Sequence, residues 1–247
     1  MRELYDYIFK RRSVRKYYKE LCLSDKDLDE IKQDIEKLIP LDSGIKTAYE
    51  IVKREETTAK FGEYCLILYS ENKPFYLFNA GYLLEQMDLL LASRDIGACW
   101  YGMAKPKTKR TDGLEYVIML AFGKSNSQGF RSNVSQFNRK EQAEIWEGEF
   151  FRDICHAARL APSACNTQPW RIASDSTGIK VYRKSDIKSF IPLMKLPYFN
   201  SIDMGIFLCF LEIALLEKGY SFDRQLKMQE NNPIGSRLIE IAEYSIK

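Results

Sequence analysis

The chain has 247 residues, 45% hydrophobic and 29% charged, a composition of folded globular proteins that speaks against extensive disorder. Its 37 lysines and arginines against 34 aspartates and glutamates leave a net charge of +3, with the basic residues scattered rather than blocked, which argues against a nucleic-acid partner. A single histidine and six singly spaced cysteines without a C-x-x-C argue against a zinc site or a disulfide framework, and against any mechanism needing two imidazoles.

In chain order, residues 2–10 read as a short helix with Leu4, Tyr5, Ile8 and Phe9 on one side, running into the basic stretch KRRSVRK. This start lacks an apolar core followed by a small-residue cleavage site, so no secretion signal is read and a cytosolic (cytoplasmic) protein is expected. The stretch LSDKDLDEIKQDIEKLIP has Ser24 and Asp27 at capping-box spacing and Leu28, Ile31, Ile35 and Leu38 at helical intervals, so it predicts an amphipathic helix stopped before Pro40. Strand composition marks residues 49–55, 64–70 and 116–122. Between them, residues 74–97 are apolar nearly all round, which predicts a helix buried in the domain with Gly97 available as its C-terminal cap. Residues 124–140 are polar and turn-rich and are the linker candidate.

A similar order then returns. EGEFFRDICHAARLA predicts a helix halted by Pro162, and His156 within it reads as structural. QPWRIAS and GIKVYRK read as strands of a hairpin turned at DSTG, and residues 200–219 as a second very apolar helix ending in glycine. Its run GIFLCFLEIALL is too short for a bilayer and contains Glu212, so no membrane partner is expected. Both parts place a greasy helix after a strand pair, which suggests an internally duplicated α+β unit.

Three stretches could carry chemistry. In KRRSVRKY, three arginines and two lysines within seven residues surround a serine; they suit a phosphate or polyol, or simply a solvated basic helix end. In APSACNTQPW, Pro162 and Pro169 stiffen a segment whose Ser163, Asn166 and Gln168 can address a heteroaromatic edge. In IGACWYGMAK, small residues around Trp100 let the backbone approach a flat ligand, or make a buried turn with a core tryptophan. FGKS at 122–125 fails as a phosphate loop because Ile118 stands where the motif needs glycine, and no G-x-G-x-x-G occurs.

Together RRSVRKY, APSACNTQPW, the CWYG turn and the buried helix before it resemble the nitroreductase family of FMN enzymes, over nearly the whole chain. The resemblance implies a nitroreductase-like α+β fold in two fused halves, residues 1–140 and 141–247, each with a central sheet flanked by helices. Usual members are homodimers with two FMN molecules at the interface. Here the first half keeps RRSVRKY and CWYG but has IPLDSGIKTAYEI where the P-S-x-x-N-x-Q-P-W element should be. The second half keeps that element, lacks the leading helix with its R-R-S, and has YSFDRQ in place of C-W-x-G. The losses are complementary, so the resemblance implies a single-chain pseudo-dimer retaining one flavin site, monomeric in solution.

Carried over residue by residue, Arg11, Arg12, Ser13 and Arg15 match the family's phosphate, ribityl and pyrimidine-edge contacts. Trp100, Tyr101 and Gly102 match the turn near flavin N5, and Pro162, Ser163, Ala164 and Asn166 match the strip from the other half. Among linker cations Lys124, Arg131, Arg139 and Lys140, the spacing selects none for the phosphate; Arg139 is favoured. No catalytic side chain and no metal are implied. The implied activity is hydride transfer from NAD(P)H through flavin N5 to a small, aromatic or conjugated electron acceptor. The alternative is a catalytically inactive flavin-binding sensor or scaffold.

Overall fold

A computed structural model of the chain describes residues 1–18, 20–110, 112–126, 129–227 and 237–247. The chain divides into two compact units, Asp6–Gln136 and Met1–Tyr5 together with Phe137–Lys247. The first few residues thus belong with the C-terminal part: the 3₁₀ turn Arg2–Leu4 packs on a helix of that unit, where Leu4 is buried and Arg2 Nε meets Glu217 Oε2 at 3.0 Å.

In the Asp6–Gln136 unit, α1 (Tyr5–Lys10) leads into the basic stretch. Helix α2 (Asp25–Ile35) opens with the expected box, in which Asp27 N donates to Ser24 Oγ at 3.2 Å and Ser24 N to Asp27 Oδ2 at 2.7 Å. Those bonds, joined by the charge of Lys124, hold the Asp27 carboxyl down at about 2. Strands β1 (Thr47–Lys53), β2 (Tyr64–Ser70), β3 (Ile96–Tyr101) and β4 (Glu115–Lys124) form an antiparallel sheet in the order β1-β2-β4-β3. Strand β2 is buried on both sides: Cys65, Ile67 and Tyr69 join a cluster with Met119 and Ala121, while Leu66 and Leu68 occupy the other face. The apolar helix α3 (Tyr76–Ser93) packs on β2, β3 and β4.

Gly97 is not the cap of α3. The helix ends at Ser93, Asp95 takes the left-handed backbone turn at φ 58°, and β3 starts at once with Ile96. Glycine is needed at 97 for a different reason: a Cβ there would lie 2.8–2.9 Å from three atoms of the Val14 side chain.

The other unit contains α4 (Gln142–Ile145), β5 (Trp146–Glu147), α5 (Arg152–Ala158), β6 (Trp170–Asp175), β7 (Gly178–Lys184), α6 (Leu196–Glu217), β8 (Phe222–Leu226) and β9 (Leu238–Ile246). Ahead of α5 this unit has only α4, one turn long and without an R-R-S. The helix expected from EGEFFRD begins only at Arg152, because Phe151 adopts φ 54° and residues 146–147 pair with β6. The β6–β7 hairpin turns as expected, with Asp175 Oδ1 accepting from Thr177 N at 2.7 Å and Gly178 N at 3.2 Å.

Helix α6 ends in a Schellman motif: Gly219 has φ 82°, Gly219 N donates to Leu216 O at 3.1 Å and Tyr220 N to Leu215 O at 3.0 Å. It is the one described helix long and apolar enough to cross a membrane, and 94% of its most apolar window is buried inside the protein.

The sheet order here is β5-β6-β7-β9-β8. Leaving aside the parallel edge strand β5, the order β6-β7-β9-β8 repeats β1-β2-β4-β3, with α6 inserted where α3 is. Even the register irregularities recur in the corresponding strand pairs, at Leu68/Tyr69 and Val181/Tyr182. One topology is thus present twice, and β8 with its FDRQ stands at the place of β3 with its CWY. The linker candidate contains the 3₁₀ turn Val134–Gln136; its residues 127 and 128 lie outside the described residues.

Candidate functional site

The sequence-predicted residues gather into one cluster in each unit. In the Asp6–Gln136 unit, the segment after α1 runs beside β3: Ser13 and Ala98 form a parallel bridge, and Val14 N donates to Ala98 O at 2.9 Å. The fit of Val14 over Gly97 makes this close approach feasible.

Arg11 points into the protein and is only 1% exposed. Its Nε lies 2.7 Å from Asp88 Oδ2 and 3.7 Å from Glu85 Oε1, and its Nη2 donates to Ser13 Oγ at 3.2 Å. Burial works to lower the Arg11 pKa, but the charges of Asp88 and Glu85 outweigh it and the net shift is upward. Glu85 also accepts from Trp100 Nε1 at 3.1 Å. Two carboxylates of α3 therefore tie the R-R-S segment and the C-W-Y-G turn to one helix. Sequence reasoning missed both, although an acid on a helix apolar all round is a signal in itself, because a buried carboxylate requires a cationic partner.

Beyond the buried pair, Ser13 is half-buried and Arg12 and Arg15 are exposed. Arg131 joins them from the end of the unit: its main-chain N donates to Lys10 O at 2.9 Å and its Nη1 donates to Arg11 O. Burial, with the charges of Arg11 and Arg12, lowers its pKa to about 10. Arg11 is already paired with Asp88, so the cations left beside the segment for an anion are the exposed Arg12 and the half-buried Arg131.

Tyr101 is engaged through its side chain, its Oη accepting from Lys60 N at 3.1 Å and its ring stacking on Phe61 with centroids 4.6 Å apart. Gly102 follows in an exposed turn.

In the other unit, the strip after α5 is built from unusual backbone. Cys165, Asn166 and Gln168 have φ of 50°, 56° and 49°, so three non-glycine residues within four positions take the left-handed region. Pro162 is buried. Ser163 Oγ accepts from Gln168 N at 2.9 Å, and Gln168 Oε1 accepts from Lys140 N at 2.7 Å, which closes the loop on itself.

Arg139 clasps this strip. Its Nε donates to Leu160 O at 3.2 Å and Ala161 O at 2.9 Å, and its Nη1 donates to Asn166 Oδ1 at 2.8 Å. Asn166 Nδ2 in turn donates to Asn138 O at 3.1 Å. From α6, Asp203 accepts from Ala164 N at 2.9 Å; sequence reasoning did not single it out. Complete burial, opposed by that hydrogen bond, lifts its carboxyl to about 8.

Of the other linker cations, Lys124 pairs with Asp27 at 3.0 Å, and burial together with the charge of Arg171 lowers the Lys140 pKa. Arg131 is thus the linker cation beside the R-R-S element, and Arg139 the one beside the P-S-x-x-N element.

The family model described as "Putative TM nitroreductase" matches residues 3–215. Among solved structures, a "putative nitroreductase" from Thermotoga maritima superposes with a TM-score of 0.65 at 19% identity, covering 98% of this chain and 92% of that one. The likeness establishes a nitroreductase-like α+β fold. Oxidised iodotyrosine deiodinase bound to FMN and 3-iodo-L-tyrosine gives a TM-score of 0.40 at 16% identity, covering 56% of this chain and 95% of that one. No curated protein matches the sequence.

Proposed function

Since the chain belongs to this TM nitroreductase family, we propose that it is an FMN-dependent oxidoreductase that passes hydride from NAD(P)H to a small aromatic or conjugated acceptor. The observation that carries the reading is the guanidinium cluster. Arg131 is half-buried beside the segment whose match to the family implies phosphate contact, its Nη1 on Arg11 O; burial, and then the charges of Arg11 and Arg12, lower its pKa, and an anionic phosphate would offset both.

The residues fit the cofactor in kind. Arg12 and Arg131 hold the phosphate; Arg11, neutralised by Asp88, positions Ser13 rather than adding free charge. Ser13 and Arg15 address the ribityl chain and pyrimidine edge, and Trp100 is oriented by Glu85 so that the adjoining backbone of Tyr101 and Gly102 is presented. The strip at Pro162, Ser163, Ala164 and Asn166 contributes backbone groups whose direction is set by the left-handed residues, with Arg139 and Asp203 bracing it. We place one FMN per chain in a monomeric cytoplasmic protein.

Bound FMN supplies the hydride chemistry, accepting from a nicotinamide and delivering to the acceptor on one open face. The protein's share is binding, orientation and a positive field, which explains why a chain with one histidine suffices. The test is the visible spectrum of purified protein, with flavin counted per chain and anaerobic addition of NADH or NADPH. One FMN per chain, bleached by either nucleotide, is the expected result. A yellow protein inert to both is the sensor or scaffold reading, and a protein that takes up no FMN overturns the proposal.

A further inference from the structure

The Asp6–Gln136 unit has a cavity of about 830 Å³ that the flavin assignment leaves unused. Of the assigned residues only Arg15 reaches its wall. The volume falls inside the ~300–1,000 Å³ range of small-molecule sites.

Its lining is unevenly charged. Besides Arg15, which the flavin assignment uses, Lys16, Lys53 and Lys60 line it, and none of these three pairs with a carboxylate among the described residues. The two acids on the wall are already occupied: Glu55 takes Arg54, and Glu63 accepts Leu23 N through both oxygens at 3.0 and 3.1 Å. What remains is a cationic rim.

The same wall is also aromatic. Tyr17, Phe61 and Tyr64 line the cavity. Tyr17 is fixed by its hydroxyl, which donates to Val14 O at 2.9 Å, and Tyr64 stacks on Phe122 with centroids 6.0 Å apart. Aromatic side chains and unpaired cations on one wall suit a planar aromatic body carrying an anionic group, since stacking and charge-assisted hydrogen bonds then act on one molecule.

We propose that this cavity is a second ligand site, distinct from the flavin's, for an anionic aromatic compound such as a nucleotide monophosphate or an aryl carboxylate. The wall touches the C-W-Y-G turn: Phe61 stacks on Tyr101 at 4.6 Å and Lys60 N donates to Tyr101 Oη.

The experiment is calorimetric titration of the full-length protein, saturated with FMN, using AMP and benzoate as probes and adenosine and benzamide as their neutral counterparts. The Lys16→Glu/Lys60→Glu variant is titrated alongside, with FMN content measured in both proteins. At least one anion is expected to bind saturably. Its neutral counterpart is expected to bind the protein about tenfold or more weakly, and the variant to bind the anion about tenfold or more weakly, the loss of a charge-assisted contact, with FMN content unchanged. The tighter of AMP and benzoate identifies the source of the aromatic anion. Absence of saturable binding by either anion, equal binding of the neutral compounds, or unchanged affinity in the variant overturns the second site and leaves the flavin reading intact. So does loss of FMN from the variant, which would make the cavity part of the flavin's own site.

Discussion

Arg11 and Asp88 form an ion pair of 2.7 Å with each side chain only 2% exposed, and the pair anchors the R-R-S segment to the middle of α3. Removing one partner strands a charge in the core. Asp88→Ala is expected to lower unfolding stability by about 3 kcal/mol, near the bottom of the range for broken buried pairs because Glu85 remains close to the guanidinium. Urea denaturation of the two proteins measures it. Replacing all three in Arg11→Met/Asp88→Leu/Glu85→Gln, which keeps an acceptor for Trp100 Nε1, should recover most of the loss, since the cost lies in the orphaned charge rather than in missing packing.

Gly97→Ala tests the approach of the same segment to β3. A methyl group there meets Val14 at 2.8–2.9 Å, closer than carbon atoms pack, so the segment must lift away from Ala98. The expected destabilisation is about 1–3 kcal/mol, the usual cost of overpacking. Val14→Ala in the same chain should restore most of it, as thermal melts of the single and double variants would show. Equal melting of the two would place the strain elsewhere.

The parts of this architecture legible in the sequence are those fixed by local chemistry. The capping box at Ser24, the strand at 64–70 and the β6–β7 hairpin each rest on neighbours within a few residues. Strand β3 was hidden because a glycine just past a greasy helix has the pattern of a cap, whereas the helix ends at Ser93, Asp95 makes the turn and Gly97 answers to Val14, 83 positions earlier in the chain. Strands β8 and β9 escaped because their partners are set by the sheet and not by alternation. At the candidate site the motifs themselves were readable. The division of labour between Arg131 and Arg139 was not, since it depends on which main-chain carbonyls each guanidinium finds: Arg11 O for one, Leu160 O and Ala161 O for the other.

Arg131→Ala separates phosphate binding from flavin binding in general. If Arg131 meets the phosphate, the variant should bind FMN about 10- to 100-fold more weakly, the value of one or two charge-assisted hydrogen bonds, and riboflavin with little change. Fluorescence titration with both flavins gives the two constants. An equal loss for riboflavin would mean that the Arg131 side chain acts by holding Arg11 in place through its main-chain carbonyl. Arg139→Ala, by contrast, should weaken both flavins alike, because its guanidinium is spent on the strip that carries Asn166.

Asp203 supplies a pH dependence of definite sign. Its carboxyl is raised to about 8 in the folded protein from an ordinary 3.8, chiefly by burial, so the folded state holds a proton that the unfolded chain has released. Stability from this group is therefore full below the unfolded pKa and is lost as pH climbs through that window toward 8, by about 1.4 kcal/mol per pH unit. Asp203→Asn keeps an oxygen for Ala164 N but cannot ionise. Its unfolding free energy, followed by urea melts between pH 5 and 9, should fall less with rising pH than that of the parent protein, overtaking it toward pH 8. The strip should respond with it: above pH 8 the parent is expected to lose bound FMN before it unfolds, and the variant to retain it. Parallel pH profiles for the two proteins would show that the carboxyl is already ionised in the fold and that its burial is relieved by partners other than Ala164.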